Sequence, residues 1–477
     1  MRSAHRLAVA VAALALLYSA ALAKDVDVKA ANRALDAVFS KSDPKARAKE
    51  IDKLEGDTLD AATAAEARNH ALELQRPAPK KLPKLEEAFQ GAMNYEYEVK
   101  TKKTTYKTFA MLDLPAGISA STPVPLIIGL HSDLGTAWME LSAMRSCARD
   151  APELRNCLRA CPQALNRGQT GDDPRENPPG LREYFGWGPK REGIDTVFNL
   201  IDGLLADYNI DRNRIYLEGA AGMGGEAVFH LAMLRPSTFA AVAVRDSLPP
   251  CYYPELDAKA DIDAMRKDST LGAQKVEFPW VTCFRNTPVF WVHADADKKA
   301  PTEHAHIARD AMKAAGVAVE YIEYEGSHAS GSTATIARAL KGCLNVTRNP
   351  LPLSVTVRGV REDSASLGNT RNYWVEITEQ SYLGKRGDWA YQILAGGLVT
   401  VTANKEDNSL TITTDGVREL NVYLTDELLY LDREIKLFVN GKERRATATR
   451  KLQFLAQTAS DYVNTGDAYV ACLTVGS

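Results

Sequence analysis

Residues 84–347 are predicted to form an α/β domain, a mostly parallel sheet with helices on both faces. Three observations lead there. Apolar runs of strand length recur along this stretch, amphipathic helical segments separate them, and the pattern changes on either side of it. Strand–helix–strand alternation requires crossover connections, which build parallel sheets covered by helices. The first strand is Val124-Pro-Leu-Ile-Ile-Gly-Leu130, followed by Leu158–Cys161. Ile194, Val197, Ile201, Leu204 and Leu205 then recur at helical spacing. Ile215-Tyr-Leu217 is a third strand and Val228–Leu234 a buried helix. Ala240–Val244, Pro288–His293 and Val317–Tyr324 complete the set. In such sheets ligands bind at the carboxyl ends of the strands.

The flanks read differently. Met1–Ala23 resembles a secretory signal: Arg2, His5 and Arg6 precede the apolar run Leu7–Leu17, and Ala21-Leu22-Ala23 fits a cleavage site. The apolar run is shorter than the roughly 20 residues a membrane span needs. The alternative is an uncleaved anchor. Cleavage near Ala23 predicts an extracytoplasmic protein, secreted or periplasmic, with no integral membrane segment in the mature chain. Residues 24–83 form a short helical segment and a linker. Asp43-Pro44 marks a helix start, Gly56 a stop, and Asp60 the cap of a helix running to Leu74. This prefix reads as a solvated lead-in or as a partner-binding arm. Gln75–Pro83 holds three prolines and reads as a linker.

From residue 350 to 477 the apolar period is two. Leu353, Val355 and Val357 alternate with polar residues. Similar runs lie at Tyr373–Thr378, Leu398–Ala403, Leu410–Thr414, Leu420–Leu424 and Ile435–Val439. Asn440-Gly441 is a two-residue hairpin signal. These short strands predict an all-β, sandwich-like module. Trp374 and Trp389 could bind carbohydrate or fill its core.

Composition narrows the function. The 477 residues carry 58 Lys+Arg against 61 Asp+Glu, a net charge of -3. A nucleic-acid binder carries a basic stripe, so no nucleic-acid partner is expected. The 45% hydrophobic and 25% charged fractions are those of a soluble globular chain. Seven cysteines are too few for a disulfide-stapled scaffold. Cys147, Cys157 and Cys161 cluster, and Cys251 and Cys283 are expected to pair in an oxidising compartment.

Four segments of the middle region resemble the α/β-hydrolase superfamily. Leu126-Ile-Ile-Gly-Leu-His131-Ser-Asp-Leu-Gly135 resembles the strand and loop of the oxyanion hole. Ile210–Gly219 with Met223-Gly224-Gly225 resembles the nucleophile strand and elbow. Pro288–Asp297 resembles the strand that delivers the acid, and Glu325-Gly-Ser-His328 the histidine loop. Their order is the family order of nucleophile, acid and histidine. The nearest groups are secreted esterases and dienelactone-hydrolase-like, polyhydroxybutyrate-depolymerase-like and prolyl-oligopeptidase-like catalytic domains.

The resemblance implies roles for single residues. Asp297 stands at the acid position, with Asp295 a nearby competitor, and His328 at the base position. His131 supports the oxyanion loop. Ser132, Met223 and Trp187 are the expected oxyanion or ligand-binding residues, Trp187 through the aromatic run Tyr184–Gly188. His304 and His306 are read as exposed, pointing apart, and not as metal ligands. No metal or cofactor is expected.

The elbow departs from the family pattern, Gly-x-Ser-x-Gly-Gly. This chain reads Gly219-Ala-Ala-Gly222-Met-Gly224-Gly225. Counting back from the Gly pair puts Gly222 where the serine belongs, and the turn has one residue too many after Gly219. Loss of a triad nucleophile costs roughly a millionfold in turnover. Three functions follow. One is a hydrolase-fold protein, impaired in catalysis, that binds an ester-, peptide- or carbohydrate-like small molecule or a partner. Another is an active carboxylesterase-type serine hydrolase using Ser132, Ser247 or Ser327. The third is an interaction protein working through its β-rich tail.

Overall fold

The computed structural model describes residues 24–75, 79, 81–100, 105–132, 135–164, 187, 193–219, 221–251, 253–256, 261–278, 280–359, 370–381, 396–462 and 464–477. The expected signal, Tyr184–Gly186, Gly188, Ala220 and Trp389 lie outside them. The chain divides into two compact units. One combines the segment up to Pro77 with 401–413 and 419–477, and the other combines 78–400 with 414–418.

In the first unit, β1 (Lys24–Asp25) pairs in parallel with β2 (Asp57–Thr58). Three helices accompany them: α1 (Val28–Phe39), α2 (Pro44–Asp52) and α3 (Ala61–Leu74). Each begins at an aspartate. Asp27, Asp43 and Asp60 accept from the amides of Ala30, Ala46 and Thr63, each at 2.7 Å. Such caps satisfy amides that the first turn leaves free. Gly56 takes φ 87°, the left-handed conformation in which a side chain is costly. The prefix is neither a solvated lead-in nor a free arm. Arg68 donates to the Ala468 carbonyl at 2.8 Å, and the Gln75 amide donates to the carbonyls of Ala459 and Asp467. Both side chains are buried. Burying them against the tail satisfies backbone carbonyls that would otherwise lack donors.

The second unit holds a nine-stranded sheet. Its elements run β3 (Glu86–Phe89), β4 (Ala92–Lys100), β5 (Thr105–Asp113), β6 (Val124–Leu130), α4 (Ala137–Cys147), β7 (Leu158–Pro162) and α5 (Gly193–Asp207). Then follow β8 (Ile210–Gly219), α6 (Met223–Leu234), β9 (Ala241–Arg245), α7 (Ile262–Lys267), β10 (Val289–Ala294), α8 (Thr302–Ala314), β11 (Val319–Tyr324) and α9 (Thr333–Leu344). The strand order is β11-β10-β9-β8-β6-β7-β5-β4-β3. Pairing is parallel from β11 to β7 and antiparallel from β7 to β3.

Alternation along the strands builds two cores. Leu126 and Ile128 of β6 face α5, α6 and α8, with Trp291 and Val244 beside them. Ile127 faces the other way, with Leu141 and Met144 of α4 and Leu340 of α9. The predicted parallel strands and helices are present. The antiparallel hairpin β4–β5 is an addition to the sequence reading, although Tyr95, Tyr97 and Val99 alternate inward with exposed Glu96 and Glu98. The unit also contains β12 (Ser354–Arg358), β13 (Arg371–Asn372) and β14 (Val375–Gln380), with β13 and β14 antiparallel. Trp374 is a core residue whose indole donates to the Pro352 carbonyl at 2.7 Å.

The tail is strand-rich as expected and adds one helix. β15 (Leu398–Asn404), β16 (Ser409–Asp415), β17 (Val417–Leu424), β18 (Ile435–Val439), β19 (Lys442–Ala446), α10 (Leu452–Asp461) and β20 (Ala471–Gly476) follow in order. β18 and β19 form the hairpin across Asn440 and Gly441, at φ 48° and 80°. Both positive angles fit the strand twist of a two-residue turn. β17 pairs antiparallel with β20, whereas β16 and β18 are parallel. The stretch Leu428–Glu434 is a structural loop. Buried Arg450 binds Asp426 at 2.7 Å on one side of it and Asp432 at 2.7 Å within it. Asn408 donates to the carbonyls of Tyr430 and Glu434.

No disulfide forms among the described residues, so the expected Cys251–Cys283 disulfide is absent. Cys283 is sealed in the larger core while Cys251 packs at its margin. No helix among the described residues is long and apolar enough to cross a membrane. Replacing Arg450 by leucine removes both ion pairs that anchor this loop and is expected to lower the urea midpoint. Urea denaturation of the full chain measures it, and an unchanged midpoint would contradict this role.

Candidate active site

The site forms at the carboxyl ends of β6, β8, β10 and β11. β8 ends at Gly219 and α6 starts at Met223, so the chain reverses within three residues. Gly222 is the helix N-cap at φ 67°, ψ −122°. That conformation is strained for any residue with a Cβ. Its carbonyl accepts from the Glu226 amide at 3.0 Å. The amides of Met223 and Gly224 belong to the first turn and have no acceptor within the helix. They make an anion- and carbonyl-binding end, aided by the helix dipole.

Glycines allow the close approach. A Cβ on Gly219 would overlap the Gly224 carbonyl, and one on Gly224 the Leu130 and His131 carbonyls. A Cβ on Gly225 would overlap Ser247. Glycine at these three positions therefore lets α6 pack tightly against the strand ends.

Asp297 and His328 are brought together. His328 Nδ1 donates to Asp297 Oδ2 at 2.7 Å. Asp297 is buried, and its Oδ1 accepts from the amides of Lys299 and Ala300 at 2.8 and 2.9 Å. These bonds hold the carboxylate in one orientation and leave His328 Nε2 as a lone-pair acceptor. Asp295 does not reach the histidine ring and braces its loop instead, its Oδ1 accepting from the Gly326 amide at 3.0 Å.

A second layer ties the strand ends together. Asp246, just past β9, accepts from the Ala294 amide at 2.9 Å and from the Tyr324 hydroxyl at 2.8 Å. It thereby joins β9, β10 and β11. Burial raises the Asp246 carboxyl above its usual range, against the pull of the Tyr324 hydrogen bond. His293 donates through Nε2 to the Ala300 carbonyl at 2.9 Å, and burial lowers its basicity. Asp246, His293 and Asp297 lie close enough to offer three ligand atoms. Their oxygens are already engaged by backbone amides, a hydroxyl and His328, which argues for a brace and against a metal site. Sequence reading missed Asp246 because nothing in its local pattern marks it.

The loop after β6 is held from below. His131 Nδ1 donates to the Ser132 carbonyl at 2.9 Å, and its Nε2 accepts from the Ala164 amide at 3.1 Å. Trp187 is buried, its indole donating to the His131 carbonyl at 3.0 Å. It supports the loop and offers no face to a ligand, because its ring fills the core. Ser132 follows on the loop and lines a cavity beside the elbow. Met223 is the first residue of α6.

The substitute nucleophiles fare poorly. Ser247 is 1% exposed, and its Oγ donates to the Gly222 carbonyl at 3.5 Å. Among the described residues none of Ser132, Ser247 and Ser327 bonds to His328. Burial pushes the Cys147 thiol up to about 12 and that of Cys283 up to about 11. A thiol so protonated at neutral pH is a weak nucleophile. His304 is buried, not exposed: it shares the inner face of α8 with Ala305, Ala308 and Met312, and its Nε2 meets the Gln274 carbonyl at 3.0 Å. His306 pairs with Glu323 on the outside.

Strand order, pairing sense and these loop positions together give the assignment. This is an α/β-hydrolase fold. No protein-family model matches the chain, and no curated protein matches it. Similar solved structures include a thermostable esterase at 21% identity and TM-score 0.37, covering 54% of this chain and 63% of its own. An S-formylglutathione hydrolase from Agrobacterium tumefaciens is similar at 16% identity and TM-score 0.38, covering 56% of this chain and 100% of its own. An acylaminoacyl peptidase from Pyrococcus horikoshii is similar at 14% identity and TM-score 0.36, covering 54% and 43%. The matched region is thus less than two thirds of the esterase and of the peptidase.

Asp246 gives a test of the brace. A carboxyl with a raised folded-state pKa favours the native state while protonated, and that contribution fades as pH rises through the folded value. Asparagine removes the charge, keeps an acceptor for the Ala294 amide and donates to the Tyr324 hydroxyl oxygen in place of accepting from it. The stability of Asp246→Asn relative to wild type is therefore expected to rise with pH from about 4 upward. Urea titrations across that range measure it, and a flat difference would refute it.

Proposed function

We propose that this protein binds a carbonyl-containing small molecule, ester-, peptide- or carbohydrate-like, without forming an acyl intermediate. The observation that supports it most is Gly222 as the N-cap of α6 at φ 67°, where the family pattern has serine. The adjacent helix amides can hold a carbonyl oxygen. His328 Nε2, with Nδ1 committed to Asp297, can accept from a ligand hydroxyl, amide or water. The missing hydroxyl removes the group that would attack the bound carbonyl. Loss of such a group costs about a millionfold in related machinery. The leader-like N-terminus supports an extracytoplasmic location for this binding.

A fluorophosphonate probe reports an activated serine. The wild-type protein is expected to remain unlabelled, and specific labelling would overturn the proposal. Gly222→Ser is expected to gain labelling and aryl-ester hydrolysis. It is also expected to lose about 1–3 kcal/mol of stability, because serine must adopt a left-handed backbone.

A further inference from the structure

A cavity of about 220 Å³ adjoins the elbow, with Ala221 and Ser132 in its wall. Its rim carries Met139, which is 58% exposed. Its apolar walls include Val292 and Ile336. The deep end is polar: Glu140, Arg245 and Asp246 line it, and Glu140 and Asp246 are buried.

The polar end has a definite hydrogen-bonding character. Arg245 reaches Glu140 Oε1 and, at 3.1 Å, Glu218 Oε2, both through Nη2. Its Nε has no partner, and Nη1 makes no bond among the described residues. One guanidinium thus faces two carboxyl groups, with a third on Asp246 nearby. Burial pushes the Glu218 carboxyl well above the usual range, despite the pull of Arg245. An incoming anion meets Glu140 and Asp246, and an incoming cation meets Arg245. A neutral group with both an acceptor and donors meets no like charge: its oxygen faces the guanidinium and its N–H groups face the carboxyl oxygens.

We infer that this cavity binds a primary carboxamide on a short aliphatic chain, of the kind carried by a glutamine or asparagine side chain. The inference rests on the reading of the elbow as a ligand site and names the class of ligand end held beside it. It gives a peptide-like ligand a direction, with its carbonyl at the α6 amides and its carboxamide in the cavity.

Saturation-transfer NMR on the full chain at neutral pH tests this with butyramide, butyrate and butylammonium. Butyramide is expected to bind at least tenfold more tightly than either charged analogue. Ile336→Trp fills the cavity from its wall and leaves Arg245 and Glu140 in place. It is expected to weaken butyramide at least tenfold. Should Ile336→Trp fail to fold, Met139→Trp narrows the same cavity from the exposed rim and is expected to weaken butyramide likewise. No butyramide binding, equal or tighter butyrate binding, or unchanged affinity in a folded variant would overturn the inference. These outcomes are independent of fluorophosphonate labelling, so the cavity and the silent elbow can fail separately.

Discussion

Helix α6 lies against the ends of β6 and β8 only because residues 219, 224 and 225 carry no side chain. A methyl group at any of them would overlap a carbonyl or a neighbouring side chain. Everything at the site descends from that contact. It forces the reversal between β8 and α6, puts Gly222 into a left-handed conformation, and aims the first amides of α6 toward the strand ends. In a close-packed interior such contacts leave no slack.

Around this turn the polar groups form layers. His328 and Asp297 make the inner one. Asp246 and Tyr324 tie together the strand ends from which the inner pair hangs. On the α4 and α9 side of the sheet, Glu140, Glu218 and Arg245 form a buried ionic group. Buried ion pairs contribute little net stability, since desolvation offsets their attraction. Their effect is better understood as orientation: each needs the others, so β8, β9 and α4 are held in one arrangement. The cavity inherits its polar end from that group.

Local signals made most elements legible. The three aspartate caps, the apolar run of β6 and the Asn440-Gly441 turn are short-range features, and the backbone obeys them. The meeting of Asp297 and His328 was legible for a different reason. Gly222, Asp297 and His328 stand at positions that the order of the surrounding strands makes meaningful. Misread residues were those whose environment comes from distant chain. His304 looked like a surface residue because its helix is polar, yet it lies on the face that packs inward. Trp187 looked like a ligand platform, yet its ring fills the space under the loop after β6.

By itself the sequence determined the alternation of strands and helices, the caps and turns, and the absence of a hydroxyl at residue 222. Those follow from neighbours within a few positions, where backbone sterics and hydrophobic period act directly. Tertiary structure alone decided that Asp246 braces β10 and β11, that Arg245 meets both Glu140 and Glu218, and that the helical prefix is built into the same unit as the tail. Glu140 and Arg245 are more than a hundred residues apart, and no local preference encodes their meeting. It follows from how the sheet and helices exclude water around them.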